Sequence, residues 1–152
     1  MTRKQSLLAY VSALVAASML SACQAEGPSS PMPGNADDFA PFEAIGESET
    51  VNFSGTEPFW AGTVTGSALT YSTPERPDGD TVKVERFAGR GGVSWTGVFD
   101  GARLALAVTP GDCSDGMSDR RFPFFATIKI RGEQRSGCAW TDKSPFTGPA
   151  QP

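Results

Sequence analysis

Apolar and polar residues alternate in short segments between about residues 50 and 140, and glycine, proline and aspartate separate these segments. A period of two residues is typical of β-strands that bury one face. No stretch shows the apolar period of a helix of three or more turns. In segment 92–99, for example, Val93, Trp95 and Phe99 fall on one face. The pattern predicts an all-β domain.

The sharpest local prediction is a hairpin centred on Asp100-Gly101. A two-residue turn of type I′ needs positive φ at both positions, which Asp-Gly adopts readily. Residues 102–109 then return with Leu104, Leu106 and Val108 on one face. We therefore expect segments 92–99 and 102–109 to pair as antiparallel strands.

Weaker alternation elsewhere extends this pattern. The further segments are residues 50–53, 59–65, 68–72, 81–87 and 124–131. Gly66-Ser67 is placed to join two of them, and Gly132-Glu133 to turn the chain toward Cys138. Seven or eight strands over about 90 residues are typical of a small antiparallel β-barrel or sandwich. We expect this β domain to span residues 49–140.

The N-terminus has the pattern of an export signal. Arg3 and Lys4 precede an apolar run from residue 7 to residue 20, as in the first two regions of a signal peptide. The run holds about 14 residues, fewer than the roughly 20 that a membrane-spanning helix needs. A permanent transmembrane helix is therefore the weaker interpretation.

Leu20-Ser21-Ala22-Cys23 resembles the bacterial lipobox. In that motif small residues precede a cysteine that is lipidated and becomes the mature N-terminus. The alternative is an ordinary signal peptide followed by an incidental cysteine. We expect residues 1–22 to be removed and Cys23 to carry fatty acyl groups such as palmitate. Gln24 in place of aspartate favours the outer membrane in a Gram-negative envelope, with the domain facing the periplasm or the cell surface.

The mature chain would have 130 residues and a formal charge of −6, which suits one domain with one core. This acidity disfavours nucleic acid as a partner. Residues 24–48, rich in Pro, Gly and Ser, are typical of a flexible tether from the lipidated cysteine. Residues 141–152 are predicted to be a disordered tail.

The cysteine and histidine content limits which covalent bonds, hydrolytic mechanisms and metal sites this chain can have. Lipidation of Cys23 leaves Cys113 and Cys138, which we expect to form a disulfide in an oxidising compartment, although two separate buried thiols are the alternative. Closing that loop would stabilise the fold by roughly 3 kcal/mol. The sequence has no histidine, which excludes Ser-His-Asp and Cys-His hydrolases and removes the commonest metal ligand. We expect neither cofactor nor metal.

Four motifs point to a family. They are Gly55-Thr56-Glu57-Pro58-Phe59-Trp60, Tyr71-Ser72-Thr73-Pro74, Cys113-Ser114-Asp115-Gly116-Met117-Ser118-Asp119 and the later Gly137-Cys138-Ala139. Together they resemble a family of uncharacterised bacterial envelope proteins, many of them described as lipoproteins. The resemblance covers about 85 residues, from Gly55 to Ala139. It implies a shared fold and a disulfide, and no established activity. A glycine and a tryptophan on the first strand also resemble lipocalins, which hold ligands in a cup.

The same motifs supply the candidate site residues. Glu57 and Trp60 are candidates for a ligand site, although a core position is the favoured interpretation of Trp60. Asp112, Asp115 and Asp119 offer oxygens for calcium, although capping of backbone groups in the loop is the favoured interpretation. Arg120 and Arg121 precede several aromatic residues, as at some protein interfaces, or simply begin a strand.

These observations favour a non-enzymatic envelope lipoprotein whose domain binds a protein, a cell-wall component such as peptidoglycan, or a small apolar ligand. One alternative is an inhibitor of lysozyme, because such inhibitors are also small disulfide-bonded β-barrel lipoproteins; this is an analogy of fold. Another is a hydrolase that uses paired carboxylates from Glu57, Asp115 and Asp119. A Ser118-Lys129 pair has no motif support.

Overall fold

The computed structural model describes residues 40–149. They form a closed barrel in which each of eight antiparallel strands pairs with the next and the last pairs with the first. The strands are β1 (Val51–Thr56), β2 (Phe59–Thr65), β3 (Ala68–Thr73), β4 (Arg76–Ala88), β5 (Val93–Phe99), β6 (Ala102–Cys113), β7 (Phe122–Ile130) and β8 (Glu133–Thr141). The predicted fold class is confirmed, as a barrel. No helix in this part of the chain is long and apolar enough to cross a membrane.

The β5–β6 hairpin forms as predicted. Asp100 and Gly101 have φ values of 49° and 73°, as a type I′ turn requires. Val93 pairs with Val108 and Trp95 with Leu106, and all four side chains are buried. Turn chemistry and alternation therefore agree in fixing the register of these strands.

The β7–β8 turn lies one residue earlier than predicted. Arg131 and Gly132 have positive φ, 51° and 84°, whereas Glu133 already belongs to β8 and pairs with Ile130. Arginine rarely adopts this conformation. Here its side chain forms an ion pair with Asp100 and lies over the ring of Phe99, 5.0 Å from the centroid. These tertiary contacts explain why the turn is centred on Arg131.

Inward-facing side chains fill the body of the barrel. The largest fully buried ones are Trp95, Phe53, Ile45, Leu69, Leu104, Leu106 and Ile128. Of these, Trp95, Leu104 and Leu106 lie at the alternate positions that the sequence pattern had assigned to one face of their strands, whereas Ile45 precedes the first strand. The body of the barrel is therefore a packed core.

The segment before β1 closes one end of the barrel. Ile45 is 1% exposed, and its carbonyl accepts a hydrogen bond from Arg86 Nη2 at 2.7 Å. The Phe42 N–H donates to the Gly89 carbonyl at 2.8 Å, and the Phe42 ring packs edge-on against Phe124. The domain thus begins before residue 49, because these two apolar side chains cover the end of the core. Residues 1–39, with the expected signal peptide, Cys23 and most of the expected tether, lie outside the described residues.

A second, smaller core lies outside the barrel wall around the disulfide. Cys113 and Cys138 are bonded, with Cα atoms 5.7 Å apart, which confirms the predicted pair. The bond connects β6 to β8 across the intervening β7. The rings of Phe122, Trp140 and Phe146 pack around it at centroid separations of 5.4 to 5.9 Å.

The residues just after β8 are ordered against this second core. The backbones of Arg121 and Thr147 exchange two hydrogen bonds of 2.9 and 3.0 Å, and Thr141 is fully buried. The predicted disordered tail from residue 141 therefore begins too early, because Phe146 anchors this segment. Residues 150–152 lie outside the described residues.

Candidate functional site

The end of the barrel opposite Ile45 opens into a cavity of about 890 Å³. It is lined by residues from the β1–β2, β3–β4 and β7–β8 hairpins and by Phe99 at the end of β5. In an up-and-down barrel these hairpins all lie at one end. We call this cavity the mouth. Its volume is within the range of small-molecule sites.

The bottom of the mouth, which we call its floor, is formed by residues at the end of the hydrophobic core. Tyr71, Phe99 and Ile130 form it, and each is at most 7% exposed. The Tyr71 ring stacks on Trp60 with 6.3 Å between centroids and meets the Phe99 ring edge-on at 6.2 Å. A ligand in the mouth would therefore contact an apolar, well-packed surface.

Arg135 of β8 is the principal polar group above this floor. Its Nη1 donates to Tyr71 Oη at 2.6 Å, and its Nη2 donates to Glu133 Oε2 at 2.9 Å. The side chain is 20% exposed, and its Nε is buried with no hydrogen-bond partner in the part of the chain that the structure describes. The Glu133 carboxylate raises the pKa of Arg135, which stays charged. Burial raises the pKa of Tyr71 despite the neighbouring Arg135.

The rim of the mouth carries more acidic than basic charge. Three guanidiniums are each paired with one carboxylate: Arg76 with Asp80, Arg131 with Asp100 and Arg135 with Glu133. Glu57 and Glu75 also line the mouth, and neither forms an ion pair with any described residue. A hydrogen bond from Thr73 lowers the pKa of Glu75. The rim therefore repels a ligand that carries several negative charges.

The two candidates of the first motif take different positions. Glu57 is an exposed residue in the β1–β2 turn and lines the mouth. Trp60 is 3% exposed and packs between Phe53 and Tyr71, so it occupies the core position that the sequence analysis had preferred. Its Nε1 is buried without a partner among the described residues. Trp60 thus supports the floor of the mouth from below.

The β6–β7 loop is held by Asp115. Its Oδ1 accepts hydrogen bonds from the backbone of Met117 at 3.0 Å and of Ser118 at 2.9 Å, and its Oδ2 accepts from Ser118 Oγ at 2.8 Å. Burial raises the pKa of Asp115, but these hydrogen bonds and the charge of Arg120 outweigh it, so the pKa is lowered. Asp115 therefore caps the loop, as favoured from the sequence.

Asp119 is exposed and takes no part in this cap. Between residues 40 and 149 no group of three or more His, Cys, Asp or Glu side chains is arranged to hold a metal ion. Ser118, whose hydroxyl donates to Asp115, serves the same loop. Asp115 and Ser118 thus lie together because both hold the β6–β7 loop in shape.

The capped loop forms one wall of a shallower groove on the outer face of β1, β2 and β3. This groove has a volume of about 440 Å³ and is lined by Asp115, Met117, Arg120 and Phe59, among others. Thr56 Oγ1 donates to the Asp115 carbonyl at 3.4 Å. Phe59 also lines the mouth, so the groove and the mouth share the β1–β2 hairpin.

Arg120 and Arg121 hold the C-terminal segment. Arg120 Nε donates to the Pro149 carbonyl at 2.9 Å, and its guanidinium lies 4.7 Å from the centroid of the Phe146 ring. Arg121 forms a backbone bridge with Thr147. Their predicted contribution to a protein interface stays a prediction.

Sequence reasoning missed the two central residues of the mouth, Tyr71 and Arg135. Tyr71 had a usable signal, because it alternates with Leu69 and so faces inward with it. Arg135 had none, since β8 begins with polar and small residues and shows no apolar face before Cys138. Its position follows from pairing with Ile128 of β7.

No protein-family model, curated protein or solved structure matches this chain.

Proposed function

We propose that this chain is a bacterial envelope lipoprotein whose β-barrel is a non-enzymatic binding module, and that the mouth holds the ligand. The ligand is a small molecule or a fragment of a cell-wall component. The observation that carries the proposal is the cup shape of the barrel: Ile45 closes one end, the core fills the body, and the other end opens as a cavity of about 890 Å³.

A cavity of this kind is the usual form of a small-molecule site, because an apolar wall with a few polar groups gives both affinity and orientation. The floor of the mouth has that composition, below a charged rim. It consists of Tyr71, Phe99 and Ile130, and the Arg135 guanidinium donates a hydrogen bond to Tyr71 Oη of that floor. The non-enzymatic part of the proposal is supported by the absence of histidine from the whole sequence and by the use of Asp115 as a loop cap.

Binding in the mouth is tested with the soluble chain from residue 24 onward, since residues 40–149 contain the complete barrel and its core. The probe is anilinonaphthalene sulfonate, whose fluorescence rises in apolar sites. We expect saturable binding that is lost in Thr73→Trp, which fills the mouth. Because Thr73 also lines the outer groove, the control is Ala61→Trp, which lines the groove and not the mouth. Equal binding by both variants would place the probe elsewhere and contradict the proposal.

Lipidation is tested separately. In a bacterial host, the full chain should incorporate labelled palmitate and fractionate with the outer membrane, and Cys23→Ser should do neither. An unprocessed N-terminus found by mass spectrometry would contradict the lipoprotein part of the proposal.

The non-enzymatic part has its own test. The purified domain is incubated with peptidoglycan, with ester substrates and with glycosides, and we expect no turnover. Measurable hydrolysis that disappears in Asp115→Asn or Asp119→Asn would establish the carboxylate-dependent hydrolase instead.

A further inference from the structure

We propose that the mouth recognises a ligand with a single carboxylate and an apolar body, and that Arg135 and Tyr71 bind the carboxylate. This inference rests on the proposed binding function and names the ligand class of the same site.

Arg135 has hydrogen-bond donors to spare at the floor of the mouth. A guanidinium carries five N–H groups, and the structure gives two of them partners, Tyr71 Oη and Glu133 Oε2. The buried Nε has none among the described residues. A buried donor without an acceptor is costly and marks a place where a water or a ligand oxygen belongs. The Arg135 guanidinium, which lines the mouth, therefore has donors left for a ligand oxygen.

Glu133 shows that a carboxylate fits on this guanidinium. Its Oε2 lies 2.9 Å from Arg135 Nη2. The Glu133 side chain is itself 68% exposed, and ion pairs with a solvent-exposed partner are weak. A ligand carboxylate that also reaches Tyr71 Oη would make more charge-assisted hydrogen bonds than Glu133 does. The ligand carboxylate therefore competes with the Glu133 carboxylate for the Arg135 guanidinium.

The remaining walls define the rest of the ligand. Pro58, Phe59 and Pro74 line the mouth above the apolar floor, so the ligand body is apolar. Glu57 and Glu75 stand at the same opening without ion-pair partners in the described residues. Their charge disfavours groups with two or more negative charges, such as a phosphate monoester, and a single carboxylate is a monoanion that meets both conditions.

The test compares three probes with one alkyl chain and different head groups: octanoate, octanol and octylamine. Isothermal titration calorimetry with the chain from residue 24 onward should give a dissociation constant for octanoate at least about tenfold below those of the other two. Arg135→Gln should weaken octanoate by about the same factor and leave octanol unchanged, which also shows that the variant is folded. Tyr71→Phe should weaken octanoate severalfold.

Glu133→Gln gives the sharpest result. Removing the internal carboxylate should strengthen octanoate binding by about two- to fivefold, the opposite direction from Arg135→Gln. A purely structural role for the Arg135–Glu133 pair would instead weaken binding of every probe. The control is Arg103→Gln on the outward face of β6, which should change nothing.

The possible failures are distinguishable. If the three probes bind equally, or if octylamine binds most tightly, the carboxylate inference is wrong while binding in the mouth stands. If no probe binds and anilinonaphthalene sulfonate does not either, the proposed function itself is wrong. Octanoate binding that survives Arg135→Gln undiminished would also overturn the inference.

Discussion

Gly55 lies directly opposite Trp60 in the β1–β2 ladder, and the Trp60 indole occupies the space where a Cβ on residue 55 would stand. Any larger residue at position 55 would collide with Trp60 Nε1 and with the Ser136 carbonyl. The two ends of the first motif are therefore a matched pair, in which the glycine makes room for the tryptophan that supports the floor of the mouth.

Gly55→Ala should destabilise the domain by about 1 to 3 kcal/mol, because an extra carbon in a packed core forces its neighbours to move. Denaturant unfolding measures the change. Gly91→Ala is the control, since a Cβ there meets nothing within 4 Å, and it should stay within about 0.5 kcal/mol of the parent. Equal effects of the two substitutions would show that the close packing is unimportant.

Ile45→Ala should cost about 2 to 4 kcal/mol, as expected for a large-to-small change at a side chain that is only 1% exposed. The neighbouring Glu47, which is exposed, provides the control substitution Glu47→Ala. Urea unfolding measures the free energy of unfolding of both variants. If Ile45 belonged to a flexible tether, neither variant would differ from the parent.

Removing the disulfide should lower the free energy of unfolding by about 3 kcal/mol, because Cys113 and Cys138 are 25 residues apart and their bond restricts the unfolded chain. The double substitution Cys113→Ala and Cys138→Ala avoids burying new hydroxyls. Reduced parent protein should behave like this variant. An unchanged unfolding midpoint in both would show that the aromatic cluster of Phe122, Trp140 and Phe146 holds this region alone.

Glu49 should make stability depend on pH. Burial raises its pKa, but hydrogen bonds from Thr141 and the Gly46 N–H and the charge of Lys143 outweigh it, so the folded-state pKa lies below the ordinary value of 4.5. The unfolded state then binds the proton more readily, so the stabilisation is present above pH 4.5 and is lost as pH falls through the folded-state pKa.

The corresponding variant is Glu49→Gln. At neutral pH it should be less stable than the parent by about 1 kcal/mol or less, and the difference should shrink in strongly acidic buffer. Urea unfolding at several pH values measures this. Glu47→Gln should show no such convergence, and a Glu49→Gln deficit that grows as pH falls would contradict the assignment.

The strands were predictable where alternation and turn chemistry coincide. Asp100-Gly101 has a local preference for positive φ, so the β5–β6 hairpin follows from sequence alone. The strand ends were harder: β4 begins at Arg76 rather than at the predicted residue 81, because Pro77 and Gly79 disfavour a strand locally while pairing with β3 enforces one. The β7–β8 turn depends on the Arg131–Asp100 pair, which only the folded barrel creates.

The site was less predictable than the fold for a related reason. Glu57 and Trp60 were found because they belong to a recognisable motif, whereas Arg135 gains its importance from Tyr71, 64 positions earlier in the chain. Isolated apolar residues in a stretch rich in Pro and Gly, such as Phe42 and Ile45, likewise carry no periodic signal. Their burial depends on where the chain enters the barrel, which no local pattern encodes.

The closure of the barrel has a consequence for how a molecule enters it. β1 and β8 pair only from Val51 with Thr141 to Ser54 with Cys138, while β8 continues toward the opening paired with β7 alone. On this one side the two strands can part near the opening without breaking any rung of the ladder between them. If the mouth admits a bulky ligand, this separation of β1 from β8 would therefore end at the Ser54–Cys138 pair, where their ladder begins.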